Sequence, residues 1–167
     1  AADGQERIAL TDAGNLFGAI QFYKTARAKG LTPILGCEVN VAQTDHRNRD
    51  PKERHYHLTL LARDLEGFHN LMKLISKGYL EGFYFVPRVS KDLIRESSRG
   101  LVCLPGDNTS ELARRILAND EAGARRAIDE HKEMFGADNY FLEVMENEIP
   151  TQRKVREGLL ALEESTG

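Results

Sequence analysis

Asp12, Glu38, His55 and His57 are the side chains whose types and positions could do chemistry. Asp12 follows the short apolar run Ile8–Leu10, and Glu38 lies within the run Thr32–Val41. Carboxylates near the C-terminal ends of strands stand where functional groups collect in α/β folds. His55 and His57 sit two residues apart at the head of another strand-like run. They therefore face the same side of it, which leaves a two-histidine site geometrically open. Each residue also has a plainer explanation. An Asx-turn ahead of Gly14 and Asn15 accounts for Asp12. A strand-end Glu is more often paired or solvated than ligating, and a strand His is more often a satisfied core or rim residue. His46 and His69 read as surface residues on a loop and a helix face, and His131 as packed along its helix seam. Cys37 and Cys103 lie far apart and match no zinc spacing.

Such groups need elements to hold them. After the strand at Ile8–Leu10, residues Leu16, Ala19, Ile20, Tyr23 and Ala26 recur at helical spacing and predict a helix over 16–29. Asn15 is its expected N-cap, Gly30 its stop, and Lys24, Arg27 and Lys29 load its last turns with charge that favours the dipole. With the strand Thr32–Val41 this makes a right-handed βαβ unit, the building block of parallel sheets. Gln43–Arg54 is a charged run with Pro51 and reads as an exposed, hairpin-like loop.

Tyr56–Ala62 is a third strand. Asp64 then caps a helix whose Leu65, Phe68, Leu71, Met72 and Ile75 form a stripe that core packing explains. The aromatic block Gly78–Arg88 could offer stacking surfaces at a rim, although a packed loop is the favoured reading. A short helix at Lys91–Arg95 and a strand at Gly100–Leu104 follow. Asn108 and Glu111 have capping-box spacing ahead of a helix through Leu117. Asp120 caps the next helix, Asn139–Met145 reads as a fifth strand, and Pro150 opens a last helix carrying Val155, Leu159 and Leu162. Alternating strands and helices predict an α/β fold with a largely parallel sheet.

At 167 residues, one domain spanning 1–167 is expected. With 41% hydrophobic and 29% charged residues, the chain is of ordinary soluble globular type. A net charge of −3 gives no electrostatic footprint for nucleic acid, so DNA would be met only through other domains. No signal-like N-terminus or long apolar run is present. No membrane association is expected, and the setting is a reducing cytoplasm without disulfides.

Several blocks, taken together and in order, carry a resemblance. They are Thr11–Lys24 (TDAGNLFGAIQFYK), Pro33–Val39 (PILGCEV), His57–Ala62, Asn70–Ser76 and Gly78–Tyr84. The chain resembles the polymerase-and-histidinol-phosphatase (PHP) domain family, in the branch found in bacterial DNA polymerase III alpha subunits. The resemblance implies a distorted (β/α)7 barrel with mostly parallel strands. By the family pattern the chain lacks the first strand, with its His-x-His, and the last, with its Asp-x-His.

It further implies a trinuclear metal cluster that hydrolyses phosphoesters at the barrel mouth. Glu38, His57 and Asp107 stand at metal-ligand positions of that pattern, whereas Ala13 replaces a His, and a methyl group cannot ligate. Asp107 stands where a thiolate is usual. Glu111 follows where the family often has an acid, here as a helix-capping group. The implied metal is zinc or manganese if the parent protein restores the site, and otherwise none.

The expected function is thus a region of a DNA-directed DNA polymerase, a nucleotidyltransferase of DNA replication. Its degenerate metal site would leave it a scaffold for the remainder of the alpha subunit and a docking surface for the proofreading exonuclease subunit. The chain is not expected to be catalytic by itself. The alternative is an active metal-dependent phosphoesterase, either a 3′–5′ nuclease or a pyrophosphatase. A stand-alone histidinol-phosphatase-like enzyme is disfavoured, because Gly78–Arg88 resembles the polymerase branch.

Overall fold

Residues 4–105, 107–145 and 148–166 are described by a computed structural model. Its elements run β1 (Arg7–Ala13), α1 (Ala19–Ala28), β2 (Thr32–Ala42), β3 (His55–Ala62), α2 (Leu65–Leu80), β4 (Arg88–Val89), α3 (Lys91–Ser97), β5 (Leu101–Leu104), α4 (Glu111–Leu117), α5 (Glu121–Phe135) and α6 (Pro150–Thr166). The sheet order is β1-β2-β3-β5, with β4 also on β2.

The predicted βαβ unit forms, since β1 and β2 pair in parallel from Arg7 opposite Thr32 to Ala13 opposite Glu38. The largely parallel sheet is corrected to a mixed one. β3 runs antiparallel to both β2 and β5, while β1, β2, β4 and β5 share one direction. A parallel return needs a long crossover. Here Gln43–Arg54 supplies only an irregular loop, so the chain folds straight back.

Strand alternation divides the sheet. The β-strand residues of the buried core, including Cys37, Val39, Val41, Leu58, Leu60, Leu101 and Cys103, all share one face; α1, α2 and α5 pack on the sheet, and α6 packs behind them on α4. The other face carries Ile34, Glu38, Asn40, His57, Thr59, Leu61, Val102 and Leu104, all half-buried. Among the described residues no element covers that face.

The predicted fifth strand at Asn139–Met145 does not form. Tyr140 makes one parallel bridge with Cys103, and Phe141 N–H donates to the Cys103 carbonyl at 3.1 Å. The next rung would need an N–H from residue 105, which is proline.

Caps and turns shift in three places. Asn15 does not cap α1. It accepts from Phe17 N–H at 3.0 Å, and the Asp12 carboxylate instead receives Gly18 N–H at 2.9 Å. Nor does Asn108 cap α4; Ser110 Oγ does, accepting from Ala113 N–H at 3.1 Å. His46 is buried rather than on the surface. Arg88, itself buried, donates to the carbonyls of His46, Asn48 and Gly82 and pulls the charged loop inward. Asp64 and Asp120 cap α2 and α5 as expected, accepting from Gly67 and Gly123.

The first turn of α2 rests on the turn at Gly100. A Cβ on Gly67 would sit 1.8 Å from the Gly100 carbonyl oxygen, so only glycine allows this approach. Gly67→Ala is expected to destabilise the protein by about 1–3 kcal/mol through overpacking. Urea unfolding measures this, and a midpoint equal to wild type would refute it.

Candidate metal centre

Three elements bring the site together on the uncovered face. Glu38 projects from β2, His57 from β3, and Asp107 from the turn after β5. Glu38 pairs with Thr59, which pairs in turn with Leu104, so the sheet register sets all three close. His57 Nδ1 lies 3.4 Å from Glu38 Oε1 and 3.3 Å from Asp107 Oδ2. One donor atom from each of the three lies within 4.8 Å of the others. This is the only such group of His, Cys, Asp or Glu found among the described residues.

Asp107 is held by its own turn. Its Oδ1 accepts from Thr109 N–H at 2.7 Å, and Thr109 Oγ1 reaches both carboxylate oxygens at 2.8 Å. The His57 ring stacks on His55 with centroids 5.6 Å apart. Burial, then the His57, Arg114 and Arg88 charges, hold His55 below its usual imidazole range, so it lies beside the group as a neutral ring.

A third carboxylate, Glu143, lies close enough to feel the charges of the group. Burial, followed by the charges of Asp107 and Glu38, raises the Glu143 carboxyl above the ordinary range. Glu143 and Thr109 were both missed in the sequence. The only signal for Glu143 was a single acid inside the apolar run FLEVM, and for Thr109 a hydroxyl two residues after Asp107.

The remaining candidates stay apart. Asp12 shares the helix-covered face with its pair Cys37 and accepts the Gly18 N–H just ahead of α1. Burial pushes the Cys37 thiol up to about 12 and raises that of Cys103 well above its usual value, so neither offers a thiolate. His131 packs as expected, 2.6 Å from the Ala127 carbonyl and stacked on Tyr140, and His69 is exposed on α2. Glu111 is an ion-pair member beneath the site, with Lys91 Nζ 2.6 Å from both its carboxylate and that of Glu130.

The donor set suits a divalent cation. Two carboxylates converge on one imidazole nitrogen, which carries at most one proton to share between them. One nitrogen and two oxygens are acceptable to zinc or manganese. Ala13 pairs directly with Glu38 on the same face and presents only a methyl. Neighbouring strands lie about 4.8 Å apart, so a ring at this position would reach the group. Ala13→His is therefore expected to tighten manganese binding at least about tenfold. Isothermal titration measures this, and unchanged affinity would count against the geometry.

No helix among the described residues is long and apolar enough to cross a membrane. Residues 1–147 match the PHP domain model. The chain is 39% identical to the DNA polymerase III subunit alpha of Treponema pallidum, over 95% of its own length and 14% of that protein. It is 40% identical to the DNA polymerase III subunit alpha of Thermus aquaticus over 91% of its length, and 42% identical to that of Borreliella burgdorferi over 96%. It spans 13% and 14% of those two proteins. With a family match over most of its residues, a helix-backed α/β sheet and a carboxylate–histidine group on the bare face, the chain belongs to the PHP domain family.

Proposed function

We propose that this chain is one domain of a bacterial DNA polymerase III alpha subunit, serving DNA replication in the cytoplasm as scaffold and docking surface rather than as a hydrolase. Similarity to three such subunits supports the assignment to that protein. The observation that carries the non-hydrolytic role is Ala13, a methyl set against Glu38 where a further ligand would be needed. Glu38, His57 and Asp107 would hold a single zinc or manganese ion. Such an ion supplies positive charge and lowers the pKa of a bound water. In this chain the three side chains would use that charge to tie β2, β3 and the post-β5 turn together.

The half-covered sheet fits a distorted (β/α)7 barrel completed by the rest of the alpha subunit. Ile34, Leu61, Val102 and Leu104 would then be buried in its lumen. Nucleotidyl transfer and DNA contact would belong to other parts of the subunit, in keeping with the net charge of −3. The proofreading exonuclease subunit is the external partner. Glu143 favours a second reading, an active metal-dependent phosphoesterase (a 3′–5′ nuclease or a pyrophosphatase), because a third carboxylate beside the group adds ligand capacity.

Assays on the intact parent subunit separate the two. The expected result is retention of the exonuclease subunit on affinity capture. With manganese added, no nucleotide should leave a DNA 3′ end and no phosphate should leave pyrophosphate. Manganese-stimulated hydrolysis abolished by Glu38→Ala would overturn the scaffold reading in favour of the second.

A further inference from the structure

The helical layer has an open seam. Between α1 and α2 runs a groove of about 550 Å³, walled by Leu16, Phe17 and Ile20 on one side and Phe68, Met72 and Tyr79 on the other. Phe17, Ile20, Met72 and Tyr79 turn outward, whereas Leu16 also packs against the core. The buried positions are Ala19 and Ala26 on α1, and Gly67, Leu71, Leu74, Ile75 and Gly78 on α2. Phe17 is 86% exposed, Ile20 61%, and Leu80 at the end of the groove 84%. A contiguous apolar surface of this kind marks an interaction site.

The α1 side of its border is basic. Lys24 and Arg27 follow Ile20 at helical spacing on the same stripe, and α1 contains no acidic residue. Neither cation has a carboxylate within ion-pair distance among the described residues. The nearest acid on α2's first turn, Glu66, turns away to Arg99 at 3.3 Å. On a chain of net charge −3 this basic rim is local.

We propose that the α1–α2 groove receives an acidic amphipathic helix of a partner protein. Its apolar face would fill the groove and its carboxylates would meet Lys24 and Arg27. The inference rests on the docking reading and places it on the molecule. A seam between two helices is the shape that accepts a third, with anchors at i, i+3, i+4 and i+7. A second copy docking through the same patch would set Lys24 and Arg27 against themselves. Nucleic acid would call for a longer row of cations than these two.

The test is fluorescence anisotropy on the intact parent subunit. The probe is a synthetic helical peptide of about 15 residues with a leucine face and glutamate flanks, beside a copy with lysine flanks. The glutamate peptide is expected to bind at least about tenfold tighter than the lysine peptide. Ile20→Asp, at a position already exposed, should weaken it by a similar factor. The pair Lys24→Glu and Arg27→Glu should reverse the preference, a readout that a folding defect would not mimic. Equal binding of both peptides, or glutamate-peptide binding that survives Ile20→Asp, would overturn the proposal. So would absence of binding, with the groove already covered by the parent chain, or self-association that Ile20→Asp abolishes.

Capture of the exonuclease subunit by the same variants keeps the two readings apart. Capture lost in Ile20→Asp supports both. Capture unchanged in Ile20→Asp leaves docking standing and overturns its placement in the groove. Capture by neither protein overturns docking, while the peptide result still decides the groove.

Discussion

The two-residue alternation of β2 and β3, buried on one face and bare on the other, is the constraint on which the rest of the molecule depends. Cys37, Val39 and Val41 enter the core while Glu38 and Asn40 point the other way, and Leu58 and Leu60 alternate with His57 and Thr59. A slip of one residue would bury the polar set and expose the apolar one, so the core itself fixes which side chains meet. The ion pairs of Lys91 with Glu111 and Glu130 join α3 to α4 and α5 beneath that arrangement. The glycine contact between α2 and the turn before β5 holds the same layer close.

That division explains the electrostatics of the candidate centre. Carboxylates at positions 38, 107 and 143 can share the bare face because water still reaches it; in the core they would have to be neutral or paired. Burial first, and then repulsion from Asp107 and Glu38, raises the carboxyl of Glu143. A cation would relieve that repulsion, yet the β1 side of the group offers only Ala13. Among the described residues the group thus offers Glu38, His57 and Asp107 as donors, with Glu143 nearby.

Much of this was legible in the sequence. The β1–α1–β2 unit, the Asp64 and Asp120 caps and the helix opened by Pro150 follow from local patterns, and local physics decided them. Glu38, His57 and Asp107 were legible only through the resemblance, since nothing in their spacing brings positions 38, 57 and 107 together. Their convergence is a product of sheet register.

The errors were non-local. The direction of β3 depended on a connection without a helix, and the burial of His46 on Arg88, some forty residues away. The missing strand at Asn139–Met145 depended on Pro105 in its would-be neighbour. Ile20, Tyr23 and Met72 looked like core because their period is right. The period gives the stripe but not its width, and here the stripe is wider than the core it covers.

The most direct test of the account is the metal content of the intact parent subunit, purified without chelator and compared with its Glu38→Ala variant by elemental analysis. The account predicts at most about one equivalent of zinc or manganese per chain, lost in the variant. About two or three equivalents, as in a multinuclear hydrolytic centre, would contradict it.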